Sequence, residues 1–306
     1  WIGWRGLFLV GLAPAAFTLL IRAWVPESPH WLARRGRLQE ARISLAWALQ
    51  RAPESLPPPR AEPPQPIPAW GELFRYPKSL LVSFMASIGA QTASYGIGLW
   101  TPTLFVLQLG VTPAYAAYLF LWVKLSGVAG RIAFAWLADA MGRRNAGMLA
   151  GFGGALTIAA AGWLHDVYFN GVSLFWASIV VADFFYDGGY AVFGPYLSEV
   201  WPTQLRTTGM GAAYGFGGIG KIIGPLGLAV IVGASDVITP KASLAAVGPA
   251  FAYFAAWMAL TGCAFLFFGF ETAGQSIAAV DAQLEAQTTG RAPDLATNRK
   301  MRHRST

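Results

Sequence analysis

Apolar runs of about 20 residues recur along this chain, near positions 6–25, 80–107, 114–138, 146–164, 173–198, 207–233 and 250–270. Each is long enough to cross about 30 Å of hydrocarbon as a helix. The fold class that follows is an all-α integral membrane protein with seven spans, six of them in the C-terminal part. Composition agrees, because a chain that is 55% hydrophobic and 12% charged has too few charges to coat a soluble domain. The first run is preceded by WIGWR and ends in Val25-Pro26-Glu27 without a small-residue cleavage site, so it reads as a span and not as a signal peptide.

The charges give the topology. Arg34, Arg35, Arg37, Arg42, Arg51, Arg60, Arg75 and Lys78 lie between the first two runs, followed by Arg143 with Arg144, by Arg206, and by the basic tail from Arg291 to Arg304. The alternate connections hold only Lys241, and Arg5 precedes the first span. The positive-inside rule therefore places the long connection and the C-terminus in the cytoplasm, most simply of a multi-pass protein in the inner cell membrane. The net charge of +7 comes from these flanks, which speaks against nucleic acid as a partner and for membrane lipid. The single cysteine, Cys263, excludes a disulfide framework and a cysteine cluster for zinc. In the long connection, Ser28-Pro29 reads as a capped helix start. Leu38, Ala41, Leu45 and Leu49 then recur on one face of a surface helix, and APESLPPPRAEPPQPIPAW reads as an extended linker.

The segment GFGGIGKI, residues 215–222, imitates a phosphate-binding loop, but the magnesium-binding hydroxyl is replaced by Ile222 and the surroundings are a membrane span. Lys221 is instead an ion within the membrane. At 1.5 Å per residue, Lys124, Asp183 and Lys221 all lie roughly 14–18 Å from the outer ends of their spans, near the midplane. Such residues usually face a cavity or each other. Asp187 lies one turn below Asp183 on the same face, with Tyr186 beside it, and Arg131 is expected to reach towards the cytoplasmic surface. Gln91 and Tyr95, four apart in the second run, are candidate cavity-lining residues. A Lys221–Asp183 pair is the expected bridge, with Lys124 as the other possible partner. The glycine pairs 211/215 and 220/224 have the spacing of close helix contacts.

Four short motifs carry a family resemblance. Pro26-Glu27-Ser28-Pro29-His30-Trp31-Leu32 resembles the PESPRWL signature that follows the sixth span of sugar porters in the major facilitator superfamily. Leu137-Ala138-Asp139-Ala140-Met141-Gly142-Arg143-Arg144 resembles that superfamily's cytoplasmic loop motif. The stretch from Glu199 to Arg206 resembles its E-x(6)-R motif, and Phe270-Glu271-Thr272-Ala273-Gly274 its closing PETKG. Order and spacing match from Trp1 to about Ala278. The resemblance implies span six at 1–25, a central cytoplasmic loop at 26–78, the six-helix C-terminal bundle at 79–271 and a cytoplasmic tail at 272–306. It also implies five further spans of the same protein upstream as a partner. The chain departs from the pattern at His30, Ala135 and Ala273. The second run, GAQTASYGIGLWTPTLF, has one Gln and no Asn where sugar porters carry a Gln-Gln-x-Ser-Gly-x-Asn stretch. Its Trp-Thr-Pro is more similar to relatives that carry small organic acids with protons.

The motif residues also have a direct physical reading. Asp139 and Arg143 have the spacing of helical neighbours, Gly142 permits a tight turn, and Arg144, Glu27 and Glu271 complete a cytoplasmic charge set able to lock one of two states. Glu199, at a helix end closed by Pro202, is expected to attract Arg206. The resulting expectation is a secondary transporter of a small anionic metabolite, with the proton as coupling ion, no other cofactor and no metal. A sugar facilitator or symporter of the same superfamily is the alternative, and a non-transporting receptor or regulator the alternative of another class. An enzyme is not expected, since three scattered His and one Cys assemble no catalytic constellation.

Overall fold

The computed structural model describes residues 3–57, 70–233 and 244–289. The chain divides into two units, Trp1–Ile67 and Pro68–Thr306. Lys241, Arg60, the tail beyond position 289 and positions 58–69 of the linker lie outside the described residues, while the linker's start is not extended as expected but turns through a short 3-10 helix at Pro53–Ser55, with Arg42 donating to the Glu54 carbonyl at 3.0 Å.

The first unit holds α1 (Gly3–Val10) and α2 (Leu12–Trp24), then α3 (Pro29–Arg34) and α4 (Leu38–Leu49). No residue of α2 is buried, and Phe17, Leu19, Leu20, Ile21 and Trp24 are all exposed. An apolar helix bare on every side suits lipid and not water. Pro29 opens α3 as expected, but the Ser28 side chain makes no capping bond. Leu32, Ala33 and Ala41 form a small cluster with Leu38 against it, and the Ser44 hydroxyl donates to the Glu27 carbonyl at 2.5 Å. The predicted apolar face of α4 holds only for its first half, because Leu49 is exposed. On the open side Arg37 grips Glu40 through two hydrogen bonds of 2.7 and 2.5 Å, which hold that carboxyl below its ordinary range.

The second unit is a helical bundle. Its long elements are α5 (Pro77–Leu109), α6 (Pro113–Ala140) and α7 (Arg143–Trp163). A two-residue-per-strand hairpin, β1 (Tyr168–Phe169) with β2 (Val172–Ser173), precedes α8 (Leu174–Tyr186) and α9 (Tyr190–Glu199). Then come α10 (Arg206–Gly217), α11 (Gly220–Val232), α12 (Val247–Phe267) and a tail helix, α13 (Ile277–Thr289). Taking α10 with α11 as one segment, five helices among the described residues are long and apolar enough to cross a membrane. The α8–α9 pair, two shorter apolar helices, occupies the 173–198 run.

Two spans expected to be continuous are broken. The 173–198 run stops at Asp187-Gly188-Gly189, where Tyr190 N bonds back to Asp187 O and Ala191 N to Gly188 O. The 207–233 run breaks at Gly218-Ile219. Both breaks fall where glycines weaken the helix, a cost that an apolarity window does not register. The core is aromatic: Phe105, Phe175, Phe251 and Phe254 are fully buried in it, as are Tyr196 and Phe265. α12 packs on α7 and α5, α10 and α11 lie along α5, and α6 packs on α8. That last division decides which intramembrane charges meet.

Candidate functional site

Two groups of charges stand out in the bundle, one at its arginine-rich end and one inside it. At the arginine-rich end Gly142, with φ of +90°, turns the chain from α6 into α7 in a conformation that L side chains rarely adopt. A side chain there would also strike the Glu271 carboxylate. Glu271 Oε1 accepts the backbone N–H groups of Arg143, Thr272 and Ala273 at 2.9, 3.0 and 2.8 Å. Its Oε2 accepts from Arg144 N at 3.3 Å. A carboxylate thus sits on the open N–H groups at the start of α7, where the helix dipole favours it. Arg144 does the reverse job, donating to the Phe265 and Leu266 carbonyls at the end of α12 at 3.2 and 2.7 Å. Arg143 bridges Glu199 at 2.6 Å and Asp139 at 3.3 Å, and the Thr272 hydroxyl donates to Glu199 at 2.6 Å.

The expected Glu199–Arg206 contact is absent. Glu199 is taken up by Arg143 and Thr272, and Arg206 Nε donates instead to the Trp201 carbonyl at 3.4 Å. The buried Val200 and Trp201 hold the turn inward, so the Glu199 side chain reaches across to α7 and not along its own chain. Glu27, in the first unit, has an exposed side chain and contributes its backbone carbonyl to Ser44.

Inside the bundle, α6 and α8 run side by side with two ion pairs between them. Lys124 Nζ meets Asp183 Oδ1 at 2.7 Å, and Arg131 holds Asp187 with both carboxylate oxygens engaged, at 2.9 and 3.0 Å. Arg131, expected to reach towards the surface, stays 56% exposed while its guanidinium is held by Asp187. The Asp183 side chain is 0% exposed, Asp187 20% and Lys124 43%. Asp183 Oδ2 and the Tyr186 hydroxyl are buried and lie near enough to interact with each other, but not in the geometry of a formed hydrogen bond, and neither has another partner. Lys124 Nζ also lies 5.8 Å from the Tyr186 ring centre.

The expected Lys221–Asp183 bridge is not formed. Since α11 packs on α5 while α8 packs on α6, Lys221 faces Tyr95 at 4.5 Å and Tyr214 at 5.9 Å from the ring centres. Among the described residues no carboxylate lies within ion-pair distance of it. Gln91 is buried. Its amide nitrogen donates to Ser87 Oγ at 3.0 Å and the Tyr214 carbonyl at 3.3 Å, so it ties α5 to α10. The Tyr190 hydroxyl reaches Ser94 at 3.5 Å, bringing α9 to the same side of α5 as Tyr95.

The family described as "Sugar (and other) transporter" matches residues 2–284. The chain belongs to that family. Its members are transporters of the major facilitator superfamily and not enzymes, and the protein is an integral, multi-pass membrane protein. The niacin transporter NiaP of Acinetobacter baylyi is 31% identical over 233 residues, 73% of this chain and 51% of that protein. The cis,cis-muconate transport protein of the same organism is 24% identical over 226 residues, covering 73% and 49%. Among solved structures, the proton:xylose symporter XylE superposes with a TM-score of 0.65 at 19% identity, covering 92% of this chain and 59% of XylE. The chain spans about half the length of the curated relatives it matches.

For this family member, the structure brings Asp139, Gly142, Arg143, Arg144, Glu199 and Glu271 together, and Lys124 with Asp183, Tyr186 and Asp187. It separates Lys221, Tyr95 and Gln91 from that second group and leaves Arg206 outside the first. Sequence reasoning missed Thr272, Tyr190, Tyr214 and the Arg131–Asp187 pair. The last had a signal: a second Lys/Arg two turns after Lys124 and a second Asp one turn after Asp183. Of the glycine pairs, Gly220 and Gly224 press on α5 at Thr92 and Gly96, while Gly211 and Gly215 face open space.

Proposed function

We propose that the full-length protein is a secondary transporter that moves a small anionic metabolite together with protons, by alternating access, in the inner cell membrane with its C-terminus cytoplasmic. The observation that carries this reading is Lys221, a half-buried cation in an apolar span, set over two tyrosine rings with no carboxylate beside it. A cation in that position is costly unless an anion visits it. Niacin and muconate, carried by two of the relatives, are carboxylates, which is the chemistry such a site takes.

Proton coupling rests on Asp183. With Lys124 as its partner and no water-exposed surface, it exchanges its charge for a proton when Lys124 turns to the arriving anion. The two cargoes then share one charge balance, and by linkage each tightens the binding of the other by the same factor. A charge cluster at the arginine-rich end, closed in one state and parted in the other, supplies the lock for two conformations a few kcal/mol apart.

The test uses full-length protein in proteoliposomes with labelled niacin and cis,cis-muconate, and with xylose as the uncharged comparison. Lys221→Ala should weaken carboxylate uptake at least about tenfold, a loss of about 1.4 kcal/mol. Asp183→Asn should abolish uphill accumulation while downhill exchange persists. Uptake of xylose in preference to both acids would overturn the anionic reading, and accumulation with unaltered pH dependence in Asp183→Asn would remove the proton role.

A further inference from the structure

The interior pair of carboxylates has a feature that neither ion pair explains. α6 and α8 approach closely at Gly127 and Gly130. A Cβ on Gly130 would strike the Phe184 carbonyl, as backbone contacts between packed helices commonly require. Gly127 is different. A Cβ there would strike Asp183 Oδ2 and Asp187 Oδ2, so the space opposite Gly127 is bordered by one oxygen from each carboxylate. One of those oxygens, Asp183 Oδ2, is buried and makes no well-formed hydrogen bond, its near neighbour being the equally buried Tyr186 hydroxyl. The other, Asp187 Oδ2, belongs to the side chain with 20% exposure, against 0% for Asp183.

We propose that Asp187 and Asp183 form a two-step proton path through the space opposite Gly127, in which Gly127 is the positioning residue that lets the two carboxylates exchange a proton. The inference rests on the proton-coupled reading above and names the entry group for Asp183. A proton arriving on the partly exposed Asp187 loosens its double contact with Arg131. It then moves from the Asp187 carboxyl to Asp183 Oδ2, Asp187 returns to its carboxylate form with Arg131, and the now neutral Asp183 releases Lys124. Each step moves one proton and leaves the others in place. The groups facing the pair are Lys124 and Arg131 from α6, Tyr186 from α8 and Tyr190 from α9. Asp187 stands at the break between α8 and α9, so a change of angle there moves the entry carboxyl relative to Asp183 and opens or closes the path.

Two carboxylates close enough to exchange a proton interact strongly, and such groups titrate as a pair and not independently. Infrared titration of the full-length protein in lipid reads this without any substrate, through the carbonyl stretch of protonated carboxyls. Asp183→Asn identifies the Asp183 band. In the wild type that band is expected to titrate in two steps. Asp187→Asn keeps the shape of the side chain and an acceptor for Arg131, and should collapse the titration to one step with a midpoint moved by about one pH unit or more. Gly127→Ala, which puts a methyl group between the oxygens, should do the same. An unchanged midpoint in Asp187→Asn overturns the path. A shift in Asp187→Asn but not in a folded Gly127→Ala overturns the role of Gly127, and if Gly127→Ala does not fold, Asp187→Asn alone decides. The absence of any protonated Asp183 band across the titration removes the proton role of Asp183 itself, a failure separate from the other two.

Discussion

The charge cluster at the arginine-rich end and the one between α6 and α8 contain the same residue types, yet they are finished to different degrees. At the arginine-rich end both oxygens of Glu271 are engaged, and the Glu199 carboxylate is shared by Arg143 and Thr272. Its partners belong to α6, α7, α9 and the segment after α12, so the cluster fastens four parts of the bundle. Between α6 and α8 the ion pairs are as short, but a buried carboxylate oxygen and a buried tyrosine hydroxyl lie side by side without a well-formed hydrogen bond. Buried polar groups are normally satisfied. The first cluster therefore reads as a clasp and the second as a site that awaits something, and the difference lies in the satisfied atoms and not in the number of charges.

Removing Lys124 should break this comparison hardest. In Lys124→Ala the fully buried Asp183 loses the cation it is paired with, and stranding a buried charge costs about 3–5 kcal/mol. Thermal unfolding of the purified full-length protein should show that loss, and the double variant Lys124→Met with Asp183→Leu should recover most of it while remaining unable to accumulate substrate. A stable single variant would show that Asp183 does not depend on Lys124. Glu271→Ala comes next. It strips the acceptor from four backbone N–H groups at and near the start of α7, for a cost of about 2–3 kcal/mol by the same measurement. Glu271→Gln, which keeps one acceptor oxygen, should cost less.

Much of this architecture was legible in the chain itself. The spans from 80 to 107 and from 114 to 138 correspond to α5 and α6 because apolar length alone specifies a membrane helix. The Asp139–Arg143 contact was readable because the two residues lie within one turn, and Gly142 because a tight turn there calls for glycine. Pairings across helices were not readable in the same way. Lys221, Lys124 and Asp183 share one depth, and depth alone cannot say which lysine meets the aspartate. That depends on α6 packing against α8 while α11 packs against α5, a property of helix order in space. The breaks at 187–189 and 218–219 were hidden for a related reason, since glycine scores as apolar in a window and its cost to the helix appears only when the backbone is built.

The tail sharpens the comparison at a smaller scale. α13 was not anticipated, and it docks through Asp281, whose carboxylate accepts the Thr203 backbone N–H at 3.0 Å and the Thr203 hydroxyl at 2.6 Å. Val280 and Leu284 are buried on the same helix. Asp281→Ala should cost about 1 kcal/mol, too little to unfold the bundle, and hydrogen exchange should accelerate in residues 277–289 with α7 unaffected. Equal acceleration in α7 would mean that the tail helix belongs to the clasp.

The smallest expected effect on stability, and the most telling for function, belongs to Asp139. Its side chain is 80% exposed and lies 3.3 Å from Arg143, whose shorter ion pair, at 2.6 Å, is with Glu199. An exposed ion pair of that kind contributes less than about 1 kcal/mol, so Asp139→Asn should leave the melting temperature nearly unchanged. If the clasp only holds helices together, transport should be equally unaffected. If it is the lock between inward-facing and outward-facing states, the same small energy acts on an equilibrium poised within a few kcal/mol, and a loss of 0.5 kcal/mol shifts the population ratio about twofold. Accessibility of single cysteines at the arginine-rich end, measured with uptake in the full-length protein, separates the two. Altered accessibility and slower uptake at unchanged stability would mark Asp139 as part of the lock, whereas wild-type accessibility and uptake would leave the clasp a purely structural device.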